Sequence, residues 1–167
     1  MPINAQHLAP QSGGFEPQRA YDFQIELYGV PNAGNLTLAV SEGFLPERMV
    51  DEIKLYYGAE DRKVAGLVSF SNGRMTCVDY LDEQILSSML EWSRMVYDIE
   101  AGTEGLASAY KKQGALVLLA PDGSRPRIYQ MLGVWPKSVS GSGLSYGTND
   151  VLKVTMELVF DQAIPKF

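Results

Sequence analysis

Residues 127–161 read RIYQMLGVWPKSVSGSGLSYGTNDVLKVTMELVFD, and this stretch decides the fold class. In its second half, Leu152, Val154, Met156, Leu158 and Phe160 alternate with Val151, Lys153, Thr155, Glu157 and Val159. Successive side chains of an extended chain point to opposite faces, so this pattern predicts a strand with one buried face. The first half is another apolar run, Ile128 to Val134, closed by Trp135-Pro136. Proline has no N–H to give a ladder, which makes Pro136 an edge, a bulge or the end of that strand. Gly141, Gly143, Gly147 and Asn149 supply a turn-prone connection between the halves.

Working outward, Tyr21, Phe23, Ile25 and Leu27 alternate with Asp22, Gln24 and Glu26 and predict a first strand. Pro31-Asn32-Ala33-Gly34 reads as a turn into a second strand whose buried face is Leu36, Leu38 and Val40, the two forming a hairpin. Residues 43–48 are a loop around Pro46. An extended segment from Val50 to Tyr57 leads into a charged connection, Gly58-Ala59-Glu60-Asp61-Arg62, and then into a strand from Lys63 to Phe70. Ile53, Leu55 and Tyr57 share one face. The charged connection reads either as a solvated turn or as a projecting tip that meets another subunit. Ser71-Asn72-Gly73 carries a tight-turn signal, after which Arg74 to Tyr80 form a return strand. Ala115 to Ala120 is a short apolar strand that Pro121-Asp122-Gly123 turns back into the opening stretch, after a polar linker that includes Tyr110-Lys111-Lys112.

Between these strands lies one long helix. Ile85, Met89, Trp92, Val96 and Ile99 recur at spacings of four and three, and Leu86 and Leu90 widen the stripe. Asp82 is placed to cap its start and Gly102 its end. Each large apolar side chain fully buried in such a stripe contributes roughly 1.5–3 kcal/mol. Trp92, Trp135 and Phe160 are the expected aromatic core. The fold class is therefore mainly β with one long α-helix: a small antiparallel β-barrel or two packed sheets. Residues 1–14 read as a flexible polar arm and 15–167 as a single domain, within the usual size of one core.

Composition narrows the function. Twenty acids against 14 bases leave a formal charge of −6, which lacks the basic footprint of tight nucleic-acid binders. One cysteine, Cys77, allows no intrachain disulfide, and one histidine, His7, leaves no histidine-based metal site or Ser-His-Asp triad. No apolar run approaches the roughly 18–20 residues of a membrane span, and Met1 to Gly14 lacks the pattern of a signal peptide. The acids Asp79, Asp82 and Glu83 sit where a helix N-terminus attracts carboxylates for dipole reasons, which outweighs an acid–base or cation site. The glycines of 141–147 have neither the spacing nor the following helix of a phosphate loop. No enzyme and no cofactor is expected.

The order of motifs carries a resemblance. Gly133-Val134-Trp135-Pro136, Ser138-Val139, a small polar loop, Asn149-Asp150-Val151 and the alternating last strand are similar to the C-terminal signature of tail-tube proteins of contractile-tailed bacteriophages. Phe15-Glu16-Pro17 leading into Tyr21–Leu27, and the charged run Glu60 to Gly66 followed by a strand and a helix, extend the resemblance over residues 15–161. It implies a tail-tube-like domain that closes into a ring with neighbouring subunits, and hexameric rings stacked into a hollow tube. Contractile sheath, baseplate and tail-terminator proteins are the implied partners. DNA would pass through without being held tightly, in a virion tail assembled in the host cytoplasm. The segment Gly58, Ala59, Glu60, Asp61, Arg62 and Lys63 would contact the next ring. Because a basic lumen would grip DNA, the surplus acid points to a neutral or acidic lumen, with Asp51, Glu52 and Asp79 as lumen-facing acids. Glu91 and Asp98, on the far side of the helix stripe, would face the sheath. The tube of a type VI secretion system or related contractile injection system remains an alternative, as does a monomeric β-barrel that binds a small ligand in a closed apolar pocket. A hydrolase is disfavoured by the missing histidines.

Overall fold

A computed structural model describes residues 17–82 and 84–167; the arm 1–14, with His7, the Phe15-Glu16 pair and Glu83 lie outside the described residues. In chain order the elements are β1 (Phe23–Tyr28), α1 (Ala33–Ala39), β2 (Val40–Glu42), β3 (Arg48–Tyr57), β4 (Glu60–Phe70) and β5 (Gly73–Val78). There follow α2 (Ile85–Val96), β6 (Tyr97–Asp98), β7 (Thr103–Glu104), α3 (Ala107–Tyr110), β8 (Lys112–Leu118), β9 (Arg127–Gly141), β10 (Lys153–Val159) and β11 (Gln162–Lys166). Seven strands form one antiparallel sheet in the order β1-β8-β9-β10-β5-β2, with β11 beside β9, curled into a half-barrel. Among the described residues the helices are short, and the one long helix expected is α2, the longest of them at 12 residues.

The opening stretch is the spine of this sheet. The first half of β9 lies between β8 and β11, and its second half pairs with β10. The exchange of partners needs a bend, and two local features provide it. Gly133 has φ +66°, a left-handed conformation that favours glycine, and a Cβ there would overlap the Asp161 carboxylate. Three residues on, Pro136 is opposite Leu158 where the β9–β10 register shifts, and Lys137 is left over as a bulge. Of the three readings its chemistry allows, Pro136 thus sits beside a bulge, and the strand runs on to Gly141.

The alternation of the last strand holds. Val154, Met156 and Leu158 on β10 and Phe160 just beyond it are buried. Met156 and Val154 lie opposite Met75 and Cys77 of β5, which are buried too. Ile25 and Leu27 of β1, Leu116 of β8, and Met131 and Val134 of β9 complete the sheet's contribution to one apolar cluster. Ile85, Met89 and Trp92 of α2 close it from outside the sheet, and the Trp92 Nε1 donates a hydrogen bond to the Tyr110 carbonyl oxygen at 3.0 Å. The Phe160 ring stacks on Phe44, with centroids 6.0 Å apart, and tilts against Phe70. Trp135 is only half-buried, its ring edge-on to Tyr110, because it stands where β9 leaves β8 for β10.

Several local expectations fail for physical reasons. Residues 33–39 are a helix, not a strand: Ala33, Leu36 and Ala39 fall three apart on one face, and Leu38 is 83 % exposed. The partner of β1 is therefore β8, not a neighbouring hairpin strand. The Ser71–Gly73 turn does not fold β5 back on β4; β5 pairs with β10 and β2. The helix α2 is capped by Asp79, whose Oδ1 accepts the Leu86 N–H at 3.1 Å, and not by Asp82. It ends at Val96, where Tyr97 turns extended, so Ile99 lies outside it and is exposed. Gly102 sits in the turn between β6 and β7. The residue that meets the helix end is Gly105: its N–H donates to the Val96 carbonyl at 2.9 Å, and a Cβ there would overlap the Met95 carbonyl oxygen. The linker before β8 contains the helical turn α3.

Candidate assembly surfaces

Among the described residues, strands β3 and β4 pair only with each other. Every residue of the two is exposed except Gly66 and Phe70, which are half-buried. The hairpin thus stands clear of the body; the Ser71 N–H donates to the Glu47 carbonyl at 3.1 Å and closes its base, where Phe70 tilts against Phe160. Its tip is a two-residue turn, Gly58-Ala59, with Gly58 at φ +64°. Glu60, Asp61 and Arg62, expected in a charged connection, are instead the first residues of β4 and with Lys63 lie opposite Tyr57, Tyr56, Leu55 and Lys54.

Residues directly opposite across a ladder share a face, so this register sorts the hairpin into two unlike surfaces. One face carries Ile53, Leu55 and Tyr57 with Val64, Arg62 and Glu60. The Arg62 guanidinium lies over the Tyr57 ring at 5.7 Å, an arrangement that lets a cation cover apolar surface. The other face carries Glu52, Lys54 and Tyr56 with Ala65, Lys63 and Asp61. There Glu52 pairs with Lys63 at 3.4 Å and Lys54 at 3.6 Å. Asp51 is in step with Ile53 on the apolar side, beside the irregularity at Gly66. The six tip residues are therefore contiguous but divided between two faces. Asp51, Glu52 and Asp79 are not brought together: Asp79 is at the start of α2.

A second exposed surface lies at the opposite end of the half-barrel. The Asp79 N–H donates to the Leu152 carbonyl at 3.0 Å, tying the loop after β5 to the loop between β9 and β10. Leu81 is 98 % and Leu144 87 % exposed there, with Tyr80, Tyr146 and Val151 beside them also exposed. The sequence reads residues 141–149 as a connection only, yet Leu144 and Tyr146 among its glycines and serines are large apolar side chains that a plain connection does not need.

The third surface is the outer side of α2. Glu91 is exposed, and Asp98 lies just past the helix in β6. Arg94 binds both Asp98 (3.1 Å) and Glu100 (2.8 Å). The Asp98 carboxyl is held below its ordinary value first by the Ala101 N–H and then by the Arg94 guanidinium and the Glu100 N–H. Leu90, Tyr97, Ile99 and Leu106 are exposed in the same region.

A groove of about 740 Å³ is lined by Phe23, Phe44, Leu45, Leu116, Leu118 and Tyr129 and is open to solvent, unlike the closed pocket expected of a small-ligand module. Among the described residues no three His, Cys, Asp or Glu side chains are placed to hold a metal ion. Cys77 is fully buried, and loss of solvent pushes its thiol up to about 12. No described helix is long and apolar enough to cross a membrane.

No protein-family model and no curated protein matches the chain. Solved structures do. A chain of the anti-feeding prophage cap, described as a tube terminating cap, superposes over 99 % of both chains with a TM-score of 0.73 at 18 % identity. A chain of the PVC sheath–tube complex, an extracellular contractile injection system in its extended state, matches over 99 % of both at 0.68 and 16 %. The fold is that of contractile-tube proteins. A type six secretion system protein shares it more distantly, at a TM-score of 0.51 and 13 % identity over 86 % of this chain and 82 % of that one. The tube-protein fold thus extends over the whole described chain, hairpin included, and agrees with the resemblance found in the motifs.

Proposed function

We propose that this chain is the structural subunit of the inner tube of a contractile, phage-tail-like machine, assembling into rings that stack within a sheath. The observation that carries the reading is the hairpin: a two-stranded ribbon with an unpartnered apolar face is marginal in water unless another surface covers it. The half-barrel adds edges at β1 and β2 that are free among the described residues; such edges invite pairing with other chains and lose that liability when copies close into a ring. Among contractile machines, an extracellular injection system is favoured by the full-length likeness to the prophage-cap and sheath–tube chains. A phage tail conducting DNA is the second reading, favoured by the acidic balance of the chain.

Six copies per ring, contact with sheath through the acidic outer side of α2, and baseplate and terminator partners at the tube ends belong to this proposal. So does a role without catalysis. The charged face of the hairpin is a candidate lumen wall; its acids Glu52 and Asp61 are balanced by Lys54 and Lys63, which leaves it near neutral. Light scattering on a sizing column, followed by negative-stain microscopy of the purified chain, is the test. Hollow rings and tubes are expected, and a chain that stays monomeric at high concentration overturns the proposal. Nuclease-protected DNA inside tubes from the native particle would favour the phage reading, and empty or protein-filled tubes the injection system.

A further inference from the structure

We propose that the Phe160 ring is a clamp that sets the direction in which the β3–β4 hairpin leaves the body, and that Phe44 and Phe70 are the positioning residues it holds. The inference goes beyond the tube reading, because it concerns the single subunit and holds whether or not rings form. A ribbon fixed through one of its two connections can pivot; fixed through both to one point, it cannot. Both connections of this hairpin reach the same ring. Phe44, in the segment that enters β3, stacks on Phe160 with centroids 6.0 Å apart and planes 15° from parallel. Phe70, the last residue of β4, tilts against Phe160 at 5.9 Å and 54°. Both arrangements are ones that aromatic rings favour. Phe160 itself is 5 % exposed and directly follows β10, so the clamp belongs to the core and not to the hairpin.

The seating of Phe44 is built into the backbone around it. Neither Gly43 nor Gly73 has a left-handed φ, so at both positions the missing side chain serves space and not conformation. A Cβ on Gly73 would overlap the Phe44 ring, and one on Gly43 would crowd Phe23 and Ile25. Polar ties lock the exit. The Ser71 N–H donates to the Glu47 carbonyl, joining exit to entry, and the Asn72 Nδ2 donates to the Glu157 carboxylate at 2.8 Å, joining the exit to β10 just before Phe160. Steric support does not explain the direction. A solvent-open cleft of about 400 Å³ lies between Arg48, Val68 and Phe70 at the hairpin base and Ala163, Ile164 and Pro165 of β11, which leaves the ribbon room to swing about its root. Holding it still before it meets a partner removes an ordering cost from association.

Spin labels on Ala59→Cys at the hairpin tip and Gln113→Cys on β8 read the hairpin's direction, since both positions are exposed and the native Cys77 is buried. The doubly labelled chain is diluted into an excess of unlabelled chain, at a concentration where light scattering shows single subunits, and the tip-to-body distance distribution is measured by pulsed electron resonance. One narrow distribution is expected for the otherwise wild-type chain. Phe70→Ala and Phe44→Ala should each broaden it, and Phe70→Tyr should keep it narrow. Phe70 is half-buried at the end of the ribbon and carries the test if Phe44→Ala does not fold. Trp92→Phe weakens the core without touching the clamp, so it should lower the melting temperature and leave the width unchanged. A broad distribution without any clamp substitution overturns the inference, as does a width unchanged by Phe70→Ala. Broadening by Trp92→Phe overturns it too, by showing that the hairpin's direction follows overall stability. A chain that never forms tubes overturns the tube reading and leaves the distances to judge the clamp.

Discussion

Trp92 and Tyr110 are joined by a hydrogen bond from the indole Nε1 to the main-chain carbonyl, 3.0 Å long, across the join between α2 and α3. The indole is 0 % exposed, so its N–H would be unpaired without that carbonyl. Trp92→Ala should cost about 3–5 kcal/mol by removing a large buried ring. Trp92→Phe keeps most of the apolar volume and should cost less. Urea titrations of both variants check this; a loss under about 1 kcal/mol for the alanine would show that the ring is not the keystone its burial implies.

Gly133 should tolerate no side chain. Its φ of +66° and the approach of the Asp161 carboxylate act together, so Gly133→Ala should destabilise by about 1–3 kcal/mol. Gly123, with φ +80° but nothing near its absent Cβ, is the control: Gly123→Ala should cost less. Equal midpoints for the two variants in thermal melts would count against the close approach.

The hairpin's division into faces separates two charges that are adjacent in sequence. Arg62→Glu changes the apolar face beside Tyr57 and should reduce tube length, while Asp61→Lys alters the charged face and should affect length much less. Circular dichroism should be unchanged for both. Equal effects on tube length, measured by electron microscopy, would mean that the tip acts only as a solvated turn or a diffuse charge.

Glu157 holds its carboxyl below the ordinary 4.5, first because the Asn72 side-chain amide donates to it at 2.8 Å and then through Lys137. A depressed carboxyl contributes stability that is complete above its unfolded value and is lost as pH falls through the folded one. Acid should therefore loosen the tie between the hairpin base and β10 only below about pH 4.5. Asn72→Ala should raise the Glu157 midpoint, as followed by carboxyl-carbon NMR. An unmoved midpoint would assign the shift to Lys137 and Arg74.

Cys77 should resist alkylation in the native protein, since burial pushes its thiol up to about 12 and no solvent reaches it. Iodoacetamide labelling should track global unfolding in urea. Fast labelling without denaturant would reveal local opening of β5.

What the chain determines locally was legible from its letters. The alternation from Leu152 to Phe160 and the Ile85–Met89–Trp92 stripe each place enough apolar side chains on one face to specify an element and its buried side. Where two periods fit the same few letters, local pattern failed. Leu36, Leu38 and Val40 alternate as a strand would, yet Ala33, Leu36 and Ala39 repeat as a helix does, and packing of α1 against β1 decides between them. Pairing was likewise invisible: β5 follows β4 by a tight-turn sequence, but its buried Met75 and Cys77 find apolar partners only on β10, some 80 residues away. The hairpin shows the same limit for the candidate site. Its strands and its charged end were readable, whereas its separation into an apolar and a charged face depends on the register between β3 and β4. Its isolation from the rest of the chain depends on the sheet having closed its contacts elsewhere. Strand direction and periodicity are set by neighbours in sequence; partners, faces and exposed surfaces are set by long-range contacts, which no local pattern contains.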